Sequence, residues 1–449
     1  MSIVRSTKNP FLMVFLLIIL ALSGCDSPMS KSTIKPLPSG NFPNSPNKPS
    51  DALDVEVYID ASASMQGYVK SKQTTGYFDI LRVMETSIKT GWDATNLGFY
   101  KFGAEIQKLE GRDFQKALLP EFYTGPISFE TKIEKVINKK INEREHLLVV
   151  VLTDLYQKDN DVSLLVGLLK DICLERGLTV GIAGVRSFFS GKIFDVGLNN
   201  QSFTFQSQLG NDETYRPFYL LTIGEYSDVQ QFFVNLSKYS AAVKEDNIVL
   251  FSPNLADPLM TFAKGQRGKE TRNVNEVTGI TKEDLRIKQF RVLDDDKPVK
   301  VSFSIPYSHA RYAPQLDATS FVPDATVLEY KNGIQESLVN TTGKLSAQAN
   351  LKKGSLSLVL EVAPGVLNEH AKHRAHIVIQ PEESAYRLPS FVSAWDLRFP
   401  KTIPLDNEKK LMEIGSKTQN LKFFMESLFF SNYRVNKPKL FESYIYFKH

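Results

Sequence analysis

Between Leu53 and Tyr239 the apolar positions switch repeatedly between two periods. Leu53, Val55, Val57 and Ile59 alternate with polar-tipped residues and run into Asp60, which predicts a strand. Ile80, Leu81, Met84 and Ile88 recur at helical spacing within 77–89, and Leu97 to Phe102 predicts the next strand. A short helix is expected over 114–119 and a longer one over 132–141, with Ile133, Val136, Ile137 and Ile141 on one face. Leu147 to Leu152 is an unbroken aliphatic run closing in Thr153-Asp154, the pattern of a central parallel strand covered on both faces. A helix over 162–174, a strand over 178–185, a strand over 218–223 and an amphipathic helix over 227–239 continue the alternation. The fold class predicted for 51–242 is therefore α/β, with a doubly wound, mostly parallel sheet.

Residues 186–214 interrupt this order. Phe188 to Val196 and Phe203 to Phe205 read as an inserted β-hairpin where another helix would keep the alternation. From 243 to 449 the character changes again. Leu285 to Leu293, the turn Asp294-Asp295-Asp296-Lys297-Pro298, and Val299, Val301, Phe303 and Ile305 read as strand, turn and strand. Leu356, Leu358, Leu360 and Val362 repeat the period of two, and strands are expected at 377–379 and 444–447. One late helix is marked by Leu421, Phe424, Met425 and Leu428. This half is predicted to be β-rich and sandwich-like.

The first fifty residues belong to neither pattern. Arg5 and Lys8 precede an uncharged apolar run from Phe11 to Leu22, too short for a comfortable membrane span. Leu22-Ser23-Gly24-Cys25 resembles the lipobox of bacterial lipoproteins, which implies a signal peptide over 1–24 and acylation of Cys25. Several acyl chains on one cysteine anchor a protein stably. Asp26 resembles an inner-membrane retention signal, so the expected location is the cell envelope, on the periplasmic face of the inner membrane in a Gram-negative cell. Residues 25–50, rich in Pro, Ser, Asn and Lys, read as the acylated cysteine and a flexible tether.

Charge narrows the partners. The formal charge of +4 falls to +2 once Arg5 and Lys8 leave with the leader, so nothing asks for nucleic acid. Acylation of Cys25 leaves Cys173 as the one remaining thiol, which excludes an intrachain disulfide, and its helical setting reads as core.

The chemistry concentrates in Asp60-Ala61-Ser62-Ala63-Ser64-Met65-Gln66-Gly67. A carboxylate and two hydroxyls at alternate positions gather hard oxygen donors on one loop after a strand, which suits a small divalent cation. Asp60-x-Ser62-x-Ser64-Met65-x-Gly67 resembles the metal-ion-dependent adhesion site of von Willebrand factor A domains, over about 51–242. The resemblance implies magnesium, with manganese or calcium as alternatives, held directly by Ser62 and Ser64 and largely through water by Asp60 and Asp154. It also implies a threonine from the intervening loop, Thr131 or, failing that, Thr124. Two positions depart from the family pattern: Phe129-Glu130 stand where it often has glycines, and Leu155 where a glycine is common.

The function so implied is a membrane-anchored, cation-dependent protein-binding or assembly module, with a partner's Asp or Glu completing the cation's shell. A metal-dependent envelope hydrolase would need a further general base, and a structural scaffold with a decayed metal site is the other alternative. An aspartyl-phosphate hydrolase would carry D-x-D, whereas position 62 is serine. Walker, G-x-S-x-G and dinucleotide motifs are missing from the sequence. His370, His373 and His376 read as a solvated loop, and Asp294 to Asp296 as a polar turn without EF-hand spacing.

Overall fold

The computed structural model describes residues 49–449 except 72, 74, 141–145, 157–161, 197–200, 253–261, 263–267, 278–286, 308–309, 318–319, 332–334, 353, 370, 399–406 and 437. The expected signal peptide, Cys25, nearly all of the tether and His370 lie outside the described residues.

The chain runs β1 (Ala52–Asp60), α1 (Gly76–Lys89), β2 (Ala94–Phe102), β3 (Ile106–Leu109), α2 (Ile133–Lys140), β4 (Leu147–Thr153), α3 (Ser163–Arg176) and β5 (Thr179–Ser187). It continues through β6 (Ser190–Val196), β7 (Gln201–Gln206), β8 (Arg216–Gly224), α4 (Tyr226–Tyr239) and β9 (Ile248–Phe251). Seven of these strands form one sheet in the order β3-β2-β1-β4-β8-β5-β9. All seven residues of β4 are buried, as its aliphatic run requires. Cys173 on α3 is fully buried, and burial pushes its thiol up to about 12.

Helices cover both faces of this sheet. Gly181 and Gly184 of β5 point to opposite sides because their separation is odd. A side chain on Gly181 would meet Val229 and Phe233 of α4, whereas one on Gly184 would meet Phe391 and Trp395 from near the other end of the chain.

The sheet is less parallel than its sequence suggests. β1 pairs in parallel with β2 and β4, but β8 enters between β4 and β5 and runs antiparallel to both. The cause lies in residues 188–215. Parallel neighbours need a crossover segment, usually a helix, to carry the chain back. Here the antiparallel hairpin β6–β7 occupies that stretch, so the chain reverses directly and Ser187 pairs with Arg216.

The remaining elements are β10 (Glu270–Arg272), β11 (Val274–Glu276), β12 (Ile287–Val292), β13 (Val299–Pro306), β14 (Gln315–Leu316), β15 (Ser320–Phe321), β16 (Asp324–Lys331), β17 (Gln335–Leu338), β18 (Leu345–Lys352), β19 (Ser355–Val362) and β20 (Lys372–Ile379). Then follow β21 (Tyr386–Arg387), α5 (Ser390–Ala394), β22 (Asp396–Leu397), α6 (Glu408–Gly415), β23 (Thr418–Gln419), α7 (Leu421–Asn436) and β24 (Phe441–Lys448). Two sheets, β10-β13-β19-β18-β15 and β11-β12-β24-β20-β16-β17, share one apolar core. Phe290, Ile377 and Phe447 enter it from one sheet, and Val301, Phe303 and Leu358 from the other. The Asp294–Asp296 turn joins strands of different sheets, so the strand, turn and strand read there do not form a hairpin. His373 and His376 lie on β20 rather than in a solvated loop; His373 is fully buried, and Nε2 of His376 stands 2.7 Å from Glu442.

The cores do not divide at residue 242. β9 is the edge strand of the first sheet, and Phe391, Trp395, Phe424, Met425 and Leu428 belong to the first core. α7 lies against α3. The chain leaves the sandwich after β20, returns to the α/β layer through α5, α6 and α7, and re-enters the sandwich as β24. Three α-helices, rather than one, occupy the described part of this excursion. Each large apolar side chain it buries contributes roughly 1.5–3 kcal/mol relative to exposure.

Candidate metal centre

The ends of β1 and β4 meet because the two strands are parallel neighbours, with Ile59 opposite Leu152. The next residues, Asp60 and Thr153, then stand side by side, and the Thr153 hydroxyl donates to Oδ2 of Asp60 across 2.8 Å. The backbone N–H of Ser62 donates to the other oxygen at 2.9 Å, closing the turn that starts the loop. Ser62 Oγ and Ser64 Oγ are 3.0 Å apart, and Ser64 Oγ donates to Oδ1 of Asp154 at 3.2 Å. Tyr156 N–H donates to the same oxygen. Asp60, Ser62, Ser64 and Asp154 thus form one chain of contacts, each of them at most 5 % exposed.

Thr131 arrives from the loop ahead of α2. Glu130 O packs against Gly103, the residue after β2, and Phe102 O accepts from Ala61 N–H at the head of the site loop. Thr131 therefore lies on the same rim; it is buried, and its hydroxyl has no hydrogen-bond partner. Thr124 is exposed and donates to Glu121 O, which leaves Thr131 as the threonine suited to the site.

Gly67 serves close packing. Its missing Cβ would lie 2.3 Å from the ring of Phe189, whose edge also meets Tyr68. Leu155, the departure noted after Asp154, adopts φ of 57°, the left-handed region that disfavours a side chain. The backbone thus takes the conformation a glycine would favour while keeping a leucine.

The electrostatics are unbalanced. Burial, and then the neighbouring charge of Asp154, raise Asp60 to about 7. Burial also raises Asp154, opposed by Arg216. Arg216 Nη2 stands 3.8 Å from Asp154 Oδ2, an ion pair too long for a hydrogen bond, and Oδ2 is left without a hydrogen-bond partner. Two buried carboxylates therefore face one guanidinium held at a distance.

This donor set fits a hard divalent cation. A buried hydroxyl and a buried carboxylate oxygen without hydrogen-bond partners each cost stability unless something else ligates them. Ser62, Ser64, Thr131, Asp60 and Asp154 supply oxygen alone, as magnesium prefers. Among the described residues no group of three or more His, Cys, Asp or Glu side chains is placed to hold a metal, so a cation here would depend on the hydroxyls.

Sequence reasoning missed Arg216 and the segment that covers it. Arg216 starts β8, and because β8 is antiparallel to β4 its beginning meets β4's end. Its Nη1 donates to Gly415 O and Lys417 O, each at 3.2 Å, and its guanidinium lies over the Phe189 ring. Tyr219, two strand positions from Pro217, donates from its hydroxyl to Thr418 Oγ1 at 2.8 Å. Arg216-Pro217 before an apolar run was visible, but only the antiparallel direction brings it to Asp154.

No helix among the described residues is long and apolar enough to cross a membrane. Comparison with protein-family models and with curated proteins finds no match for this chain.

Proposed function

We propose that this chain is a lipid-anchored protein of the bacterial cell envelope whose α/β layer, similar to a von Willebrand factor A domain, binds a partner protein through a divalent cation. Magnesium is favoured, with manganese or calcium as alternatives. The observation that carries the reading is the convergence of Asp60, Ser62, Ser64 and Asp154 in one buried cluster, with the unpartnered hydroxyl of Thr131 on the same rim. Ser62, Ser64 and Thr131 would hold the cation through hydroxyls, and Asp60 and Asp154 largely through water. When bound, the cation supplies a Lewis-acidic position for a partner's Asp or Glu.

Calorimetric titration of magnesium and manganese into the mature chain, beside a Ser62→Ala, Ser64→Ala variant, tests this. Saturable binding in the parent and none in the variant supports the reading; a folded parent that binds neither ion sinks it. A second reading has its own observation. Arg216 is already a buried cation beside Asp154, and in a scaffold with a decayed site it would stand permanently in place of a metal. Metal-insensitive stability and partner capture would favour that alternative.

A further inference from the structure

We infer that residues 414–419 form a built-in stop over the cation rim, latched by Arg216, and that a partner's carboxylate reaches the site only when this segment shifts. The inference rests on the cation reading above, and three observations carry it.

One arginine serves two masters. Arg216 is 8 % exposed, and its Nη2 faces the Asp154 carboxylate while its Nη1 holds the carbonyls of Gly415 and Lys417. A bond from a charged donor is stronger than a neutral one, so these two contacts fasten the turn between α6 and β23, beside the 2.9 Å bond from Thr418 N–H to Trp395 O. Thr418 adds the bond from Tyr219.

The fit is also close in space. Gly415 is seated on the β6–β7 hairpin, where an added Cβ would lie 2.2 Å from the Phe205 ring. The cleft that reaches Asp154 has a volume of about 30 Å³ and is lined in part by Leu397, Ile414, Lys417, Thr418 and Gln419. Such a space admits two or three waters at most, since a water needs roughly 10–15 Å³ measured this way. The carboxylate of a partner does not enter beside Asp154 while the segment is down.

The segment contributes one large side chain, Ile414, to the first core. α5 and α7, on either side of it, bury Phe391, Phe424, Met425 and Leu428 in the core, whereas the turn itself holds an Asn420 at φ of 58° and a buried Gln419 Nε2 without a partner. Displacement of 415–419 keeps the core contacts of Phe391, Phe424, Met425 and Leu428, at the expense of the pairing of Thr418 and Gln419 with Asp396 and Leu397. A divalent cation at Asp154 repels the guanidinium that fastens the turn, so cation binding and release of the turn favour one another. By reciprocity, loosening the turn tightens cation binding by the same factor.

Amide hydrogen exchange on the mature chain, with and without magnesium, reads this directly, with magnesium affinity measured in parallel by calorimetry. In the parent, saturating magnesium should speed exchange across 414–420 by about fivefold or more, and Ser62→Ala, Ser64→Ala should abolish that response. Arg216→Gln should speed the same amides without metal and tighten magnesium binding. Thr418→Val, which removes only the bond from Tyr219, should act in the same direction more weakly and serves if Arg216→Gln fails to fold. Magnesium that binds but leaves 414–420 unchanged or slower overturns the latch and leaves the cation reading standing. Absence of magnesium and manganese binding in the folded parent overturns both.

Discussion

The hydroxyl of Thr153 donates to Asp60 across 2.8 Å and thereby ties the end of β4 to the end of β1. With Ser62 N–H on its other oxygen, Asp60 is satisfied by protein donors, whereas Oδ2 of Asp154 has no hydrogen bond. The two carboxylates that look equivalent along the chain thus differ in role. Asp60 sets the loop, and Asp154 is the one with capacity to spare.

Asp60 predicts how stability responds to pH. Its folded carboxyl is held at about 7, chiefly by burial, while an unfolded aspartate titrates near about 4. Between those values the folded state keeps a proton that the unfolded state has lost, so this contribution is full at low pH and is lost as pH rises through 7. In chelator, the parent should therefore melt at a lower temperature at pH 8 than at pH 5.5, and Asp60→Asn should flatten the difference. Magnesium competes with that proton and should raise the melting temperature more at pH 8. Equal magnesium effects at both pH values would count against the site.

Thr131 offers a test with opposite signs. Its buried hydroxyl is without a partner, and such a group costs about 1–3 kcal/mol. Thr131→Val should leave the metal-free protein as stable as the parent or about 1 kcal/mol more so, by urea denaturation. Calorimetry should show magnesium binding weakened about tenfold or more, equivalent to roughly 1.4 kcal/mol. A variant that loses stability but keeps affinity would assign Thr131 to the core instead.

At Leu155 the usual order of substitutions should invert. In ordinary backbone, glycine is about 0.5–1 kcal/mol worse than alanine. Leu155 sits at φ of 57°, where a Cβ costs roughly 1–2 kcal/mol. Both Leu155→Ala and Leu155→Gly lose packing, but the glycine variant should be the more stable by about 1 kcal/mol, measured as a shift in urea midpoint. Alanine proving the better replacement would show that the turn relaxes.

Asp228 makes the third carboxylate worth testing, at the opposite end of β1 from the site. It accepts Trp92 Nε1, Ser50 N and Ser50 Oγ at 2.7–2.9 Å, and it is 1 % exposed at the first turn of α4. Asp228→Ala strands three donors and should cost roughly 2–4 kcal/mol. Exchange at Ser50 to Ala52 should rise, while magnesium affinity stays that of the parent. A matching loss of affinity would show that the two ends of β1 are coupled.

How much of this was legible along the chain follows from which forces act locally. Alternation into Asp60, the aliphatic run into Asp154 and the helical stripes of α1, α3 and α4 are written in neighbouring residues, because burial on one face or two sets the period of apolar positions. Spacing alone also put Asp60, Ser62 and Ser64 on one loop. The inserted hairpin at 188–206 could be read too, but not its consequence.

Local patterning accounts for the set of elements and for the oxygen-rich loop after β1. The direction of β8, the approach of Arg216 to Asp154 and the return of α5, α6 and α7 to the first core were set by long-range packing. These depend on pairings between residues up to about 200 positions apart, and such pairings are chosen by the whole packed arrangement, not by local preference. Antiparallel entry of β8 turned an unremarkable arginine into the buried counter-charge of the site, because strand direction sets which end of a strand faces which rim.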